Sequence, residues 1–249
     1  MRYLVLADIH ANLPAFEAVL QDAQGKYDKI LFLGDLSNFG AYPSECAQLL
    51  MGKDALCIMG NHDKDIASDA PVHPWNQWSR ARLTQEQLAW IGGFKESGII
   101  DGHILVLHGI YKDIVPYDIL PNTADEDIEL AFRSKLTAGV DEVWFGHYHY
   151  DIERTVNGVK YRCIRPVGQH RDRDTRASYY IYDGGRLTQH RVAYDVEKVV
   201  AAFAQFDAIA KEQTAHFIDF LRNAYSEYFL AKDLKTMAEN EKKSGIKYP

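Results

Sequence analysis

Apolar residues gather along this chain in short blocks whose spacing predicts its elements. Unbroken runs of branched, aliphatic or aromatic residues fall at Tyr3–Ala7, Ile30–Leu33 and Ala55–Met59, each bounded by polar or turn-forming residues. Runs of that length read as buried strands. Between the first two, Leu13, Phe16, Val19 and Leu20 recur at helical spacing behind Asn12, a suitable N-cap, with Pro14 in the first turn. A second helix is predicted over Pro43–Met51. The chain therefore opens β-α-β-α-β, the beginning of a parallel sheet segment.

Residues 64–80 carry no clear period and read as a loop holding His73, Trp75 and Trp78. Thr84 and Gln87 form a capping box for a helix running to about Ile91. Gly98–Leu107 suggests a hairpin, Asp125–Leu136 a helix and Val143–Phe145 another short strand. Beyond Tyr150 the pattern turns to antiparallel strands, with Asn157-Gly158 and Asp183-Gly184 as hairpin turns. From Asp195 to about Glu239 the chain reads as helical with a break, and Val199, Phe203, Phe206, Phe217, Phe220 and Leu221 mark its apolar faces. Packing onto the rest of the chain is the expectation for these faces, with a homo-oligomer contact as the alternative. No linker, repeat or low-complexity tract divides residues 1–249, so one domain is expected. The pattern alone establishes mixed α/β.

Charge narrows the function classes. A net charge of -7 over 249 residues argues against a stable nucleic-acid or anionic-membrane surface, since both need clustered Lys and Arg. The three cysteines, Cys46, Cys57 and Cys163, are far apart and form no C-x-x-C pair, which suits a reduced protein. The apolar start is too short for a signal peptide, and no run approaches the roughly 20 apolar residues of a membrane helix. A cytoplasmic location is expected.

The chemistry lies at the ends of the predicted strands. Five clusters follow apolar runs: Asp8-Ile9-His10, Gly34-Asp35, Gly60-Asn61-His62-Asp63, His108-Gly109 and Gly146-His147-Tyr148-His149. Open α/β sheets place sites where strand ends converge and loops turn side chains inward. Asp, Asn and His supply oxygen and imidazole donors, the ligand set of a hydrolytic two-metal centre.

In order and content these clusters resemble the signature of the calcineurin-like metallophosphoesterase superfamily, D-x-H, G-D, G-N-H-D/E, H and G-H-x-H. The resemblance covers residues 8 to 149. It implies a four-layer αββα sandwich, with two mixed β-sheets flanked by helices. It also implies one metal site from Asp8, His10 and His149 and another from Asn61, His108 and His147, with Asp35 bridging them. His62 would act as general acid or charge stabiliser, and Asp63 would orient it and favour its protonated form. Mixed nitrogen and oxygen donors favour Mn or Fe, with Ni, Co or Zn as alternatives.

A further stretch, Pro166-Val167-Gly168-Gln169-His170-Arg171-Asp172 followed by Arg176-Ala177-Ser178-Tyr179, is similar to a segment of small bacterial and archaeal members reading N-P-G-S-V-G-Q-P-R-D and then R-A-S-Y. Here the G-S pair is missing and His170 replaces the second proline. Gln169 and Arg171 are candidate substrate contacts, with a surface salt bridge as the competing account of Arg171. Phosphoprotein phosphatases of the superfamily read G-D-x-V-D-R-G where this chain has Gly34-Asp35-Leu36-Ser37-Asn38-Phe39-Gly40, so their phosphate-binding Arg is absent. The expected activity is hydrolysis of a small phosphodiester or phosphomonoester, such as a nucleotide, by attack of a hydroxide bridging two metals. A nucleotide-polyphosphate hydrolase and a non-catalytic metal-binding scaffold of the same fold are the alternatives.

Overall fold

The computed structural model describes every residue except 69, 72–73, 111–118, 207–210 and 248–249. His73 therefore lies outside the described residues. Strands β1 (Tyr3–Leu6), β2 (Lys29–Phe32) and β3 (Ala55–Cys57) alternate with helices α1 (Leu13–Asp22) and α2 (Pro43–Met51). The three strands pair in parallel, with Leu4 opposite Ile30 and Leu31 opposite Leu56. Asn12 caps α1 by accepting the Ala15 N–H at 3.2 Å.

Two short helices, α3 (Asn61–Ala67) and α4 (Pro74–Arg80), occupy the segment expected to be a loop, followed by α5 (Gln85–Gly92). Burial explains the difference: Trp75 and Trp78, three positions apart on one face of α4, pack against Phe203, Phe206 and Phe217. A helix held by distant aromatics has little local signal of its own. The chain continues through β4 (Ser97–Ile100), β5 (Ile104–Leu107), α6 (Asp125–Phe132), β6 (Glu142–Phe145), β7 (Glu153–Val156) and β8 (Val159–Cys163). It ends with β9 (Ala177–Asp183), β10 (Arg186–Val192), α7 (Val196–Ala202), α8 (Lys211–Asn223) and α9 (Glu227–Ser244).

Two five-stranded mixed sheets result, ordered β10-β9-β1-β2-β3 and β4-β5-β6-β8-β7. Side chains alternate between faces along each strand. Val5, Ala7, Leu31 and Leu33 of the first sheet therefore meet Ile104, Val106 and Trp144 of the second in one apolar layer. The intervening Leu4, Leu6, Ile30 and Phe32 pack beneath the flanking helices, with Phe16, Leu50 and Leu88 among their neighbours. On the far side Leu105, Leu107, Val143 and Phe145 lie under Ile128 and Phe132 of α6, with Met237 of α9. This is the expected four-layer sandwich, and it accounts for strands that read as unbroken apolar runs. No helix among the described residues is long and apolar enough to cross a membrane.

Candidate metal centre

Strands β1, β2, β3, β5 and β6 deliver their following loops to one rim. The chain there turns sharply: Asp8, His10, Asp35, His147 and His149 have φ of 53°, 51°, 60°, 71° and 63°. Each is a non-glycine residue in the left-handed region, at a typical cost of about 1–2 kcal/mol. Backbone hydrogen bonds across the rim hold these turns, from Asp8 N–H to the Gly34 carbonyl at 2.9 Å, His10 N–H to that of Asp35 at 3.0 Å and Gly146 N–H to that of His108 at 2.8 Å. Gly60 is required by close approach, since a Cβ there would lie 2.1 Å from Asp35 Oδ1 and 2.3 Å from its backbone nitrogen.

The rim gathers two triads of ligand-type side chains, Asp8, His10 and His149 in one, Asp35, His108 and His147 in the other, all buried except the half-buried His147. In the first, His149 Nε2 stands 3.1 Å from Asp8 Oδ1 and 3.2 Å from His10 Nε2. In the second, His108 Nε2 stands 3.1 Å from Asp35 Oδ2, and Asn61 Oδ1 lies 3.2 Å from that nitrogen and 2.8 Å from His147 Nδ1. Asp35 Oδ2 is also 4.0 Å from His10 Nε2, so this carboxylate reaches both groups. All seven residues expected as ligands converge here. A main-chain carbonyl fixes one ring: His108 Nδ1 is 2.6 Å from the Leu33 oxygen.

Electrostatics suits a cation. Burial pushes the His10 and His149 imidazoles well below their usual pKa, and that of His147 down to about 3, leaving neutral rings with free lone pairs. His108 is the exception: burial opposes its charge, but Asp35 and Asp8 outweigh that and raise it to about 10. Burial would also raise Asp35, yet His108, His62 and His10 hold it well below the ordinary carboxylate range. Burial, together with Asp35, raises Asp8. Two buried carboxylates thus draw positive charge, already visible at His108, into a pocket whose other donors are the neutral imidazoles of His10, His147 and His149 and the Asn61 amide. That donor set fits divalent transition metals.

His62 flanks this centre. Its N–H donates to Asp35 Oδ1 at 3.0 Å, and its ring lies 5.7 Å from that of His10, centroid to centroid. Its Nδ1 is 2.5 Å from the Asn38 amide nitrogen and 3.3 Å from that of Asn76. Asp63 takes a part different from the one expected of it. Its carboxylate is fully buried and accepts three backbone N–H groups, from Asp35 at 2.8 Å, Leu36 at 2.9 Å and Gly60 at 3.0 Å. Asp63 thus braces the loop that presents Asp35, and the amides of Asn38 and Asn76 stand at the His62 ring.

Gln169 and Arg171 diverge. Gln169 is buried, with its Nε2 unpartnered among the described residues. Arg171 donates to Asp233 of α9 at 2.5 Å and stands over the Tyr150 ring. This ion pair is largely buried and ties the loop to α9, so the surface salt bridge expected for Arg171 is replaced by an internal one. Asn38, Phe39 and Asn76 also reach the site, and sequence reasoning assigned no role to them. Asn38 and Phe39 sit in the Gly34–Gly40 segment that the motif comparison crossed. Asn76 reaches His62 only because α4 folds, and no local pattern announces that.

Comparison with known proteins places this geometry. A family model for calcineurin-like phosphoesterases matches residues 1–180. An uncharacterised protein of Methanocaldococcus jannaschii is 27% identical over 223 residues, covering 78% of this chain and 88% of that one. The crystal structure of a metallophosphoesterase from Sphaerobacter thermophilus superposes with a TM-score of 0.71 at 26% identity, covering 90% of this chain and 99% of that one. A hypothetical protein from Pyrococcus horikoshii OT3 has the same fold, with a TM-score of 0.74 at 17% identity and coverage of 90% and 98%. With its paired Asp/His clusters at the ends of the strands, the chain belongs to the calcineurin-like phosphoesterase family.

Proposed function

We propose that this chain hydrolyses a small phosphoester at a centre of two divalent metal ions held by Asp8, His10, Asp35, Asn61, His108, His147 and His149. The observation that carries this reading is the pair of Asp/His triads with the Asp35 carboxylate in reach of both. Mn or Fe are the ions preferred by this mixed donor set, with Co, Ni and Zn compatible. When bound, such ions lower the pKa of a water and neutralise charge on phosphoryl oxygens.

The chain's own residues divide the remaining work. Asp35 bridges the two groups and, through Oδ1, receives the His62 backbone N–H. Asp63 holds the Asp35 turn through three backbone N–H groups. The His62 imidazole, steadied by Asn38 and Asn76, lies beside the triads without belonging to either, which leaves it to donate a proton to the departing oxygen. A scaffold without activity has no use for that histidine.

Reconstitution with Mn followed by elemental analysis tests the reading. About two ions per chain and hydrolysis of bis(p-nitrophenyl) phosphate are expected. Fewer than one ion per chain, with no turnover, would end it.

A further inference from the structure

The side of the centre next to His62 is walled by an aromatic ring. Phe39 lies with its ring centroid 5.3 Å from that of His62 and 5.6 Å from that of His10, in edge contact with both. It stacks on Phe217 of α8 at 5.5 Å with 23° between planes, and Trp75 of α4 stands tilted 5.6 Å away. Phe217 and Trp75 are buried, whereas Phe39 is partly exposed. The backbone pays to put it there: Asn38 and Phe39 both adopt the left-handed region, with φ of 86° and 63°. A bulky residue in that conformation is a genuine outlier, and such strain gathers at functional sites. Phe217 belongs to α8, beyond the residues 1–180 that the family model matches, so part of this wall comes from outside the matched span.

We infer that Phe39 is a specificity-determining residue, whose ring seats a flat apolar ester group of the substrate beside His62. The inference rests on the phosphoesterase reading and deepens it, since it selects a phosphodiester carrying an aromatic substituent. The charge argument is direct. At neutral pH a phosphomonoester is close to a dianion and a diester a monoanion. A phenyl ring offers no positive charge to offset the extra one, but it stacks favourably on a planar group. The ring is in edge contact with His62, which places the group it meets on the same side of the centre as that histidine.

The test uses Mn-loaded protein and esters sharing one leaving group: bis(p-nitrophenyl) phosphate, methyl p-nitrophenyl phosphate and p-nitrophenyl phosphate. The wild type should show a KM for the bis-aryl ester about tenfold below that for the methyl ester, the size expected of an apolar contact in a pocket. Phe39→Leu should bring that ratio near one, and Phe39→Arg should raise kcat/KM for the monoester relative to the diesters. Calorimetric titration with diphenylphosphinate and dimethylphosphinate, inert monoanions, reads the same seat without turnover and should show a matching preference for the phenyl compound. Absence of hydrolysis of all three esters would sink the phosphoesterase reading, with the phosphinate titration still reporting on the seat. Turnover with equal KM for aryl and methyl esters, or equal phosphinate affinities, would overturn the role of Phe39 while leaving the phosphoesterase reading intact, whether or not either variant folds. A ratio unchanged in a folded Phe39→Leu protein would do the same.

Discussion

The two ends of the same strands solve one problem in opposite ways. At the end away from the metal centre the chain reverses at Asp101-Gly102, Asn157-Gly158 and Gly184-Gly185, all left-handed, using residue types that tolerate this backbone. Register places these turns together, since Ile100 pairs with Ile104, Val156 with Val159, and Tyr182 with Tyr3 at the start of β1. At the opposite end one left-handed position is a glycine, Gly34, and the others are filled by Asp8, His10, Ala11, Asp35, Asn38, Phe39, His147 and His149. Two of these, Ala11 and Phe39, are types that this backbone disfavours, and the other six are Asp, Asn or His chosen for their side-chain chemistry where the far end relies on glycine. The far end is shaped for stability, whereas the rim accepts backbone strain because only sharp reversals aim five loops at one volume.

The comparison predicts its largest effect where strain and charge meet. Asp35→Asn should remove metal together with turnover, a loss on the order of 10³-fold or more, because the carboxylate that reaches both triads is gone. Gly60→Ala should reproduce that loss with no change of charge, by displacing Asp35. Gly184→Ala is the control at the other end: φ there is 53° and an added Cβ meets nothing within 4 Å. It should cost only about 1–2 kcal/mol in thermal or denaturant unfolding and leave turnover alone. Metal analysis, kinetics and melts on the three proteins check this. A Gly60→Ala enzyme with both ions and full activity would dissolve the distinction between the ends.

His62→Ala should come next. With the triads untouched, both ions should stay bound, and kcat for an ester with an alkoxide leaving group should fall by ~10²–10⁴-fold. The loss should be smaller for p-nitrophenolate, which departs without needing a proton. Equal losses on the two substrates would make His62 a stabiliser of phosphoryl charge, and no loss on either would favour the scaffold.

Much of the rim is legible in the sequence because each ligand cluster sits just past an apolar run. Strands buried on both faces spell themselves out as Val-Leu-Ala or Leu-Phe-Leu, and the polar residue ending such a run must sit at the strand's edge. The pairing of sheets followed from the family resemblance, since period-two burial fixes faces but not partners. What surrounds His62 was not legible. Asn76 reaches it only through α4, which is stabilised by aromatics more than 120 positions downstream. Sequence adjacency makes Asp63 the expected partner of His62, yet α3 begins at Asn61 and turns its third residue back over the Gly60 and Asp35 amides. Phe39 carries no polar group, so a search for chemistry passes over it.

The smallest expected effect is also the most direct reading of strain at the rim. Ala11 and Ala15 are four positions apart, both fully buried, and differ in backbone: Ala11 is left-handed with φ of 51°, whereas Ala15 lies within helix α1. Replacing either by glycine deletes the same methyl group, worth about 0.8 kcal/mol of burial, and loosens the unfolded chain by a similar amount. At Ala15 both terms destabilise, for a total of about 1.5–2 kcal/mol. At Ala11 the same two terms are opposed by relief of about 1–2 kcal/mol of left-handed strain, so Ala11→Gly should be close to neutral. Denaturant unfolding of the two variants gives the difference, since their unfolded states change alike. Equal destabilisation would mean that Ala11 holds no strain, and that the rim's left-handed turns cost the fold no more than the glycine turns at its other end.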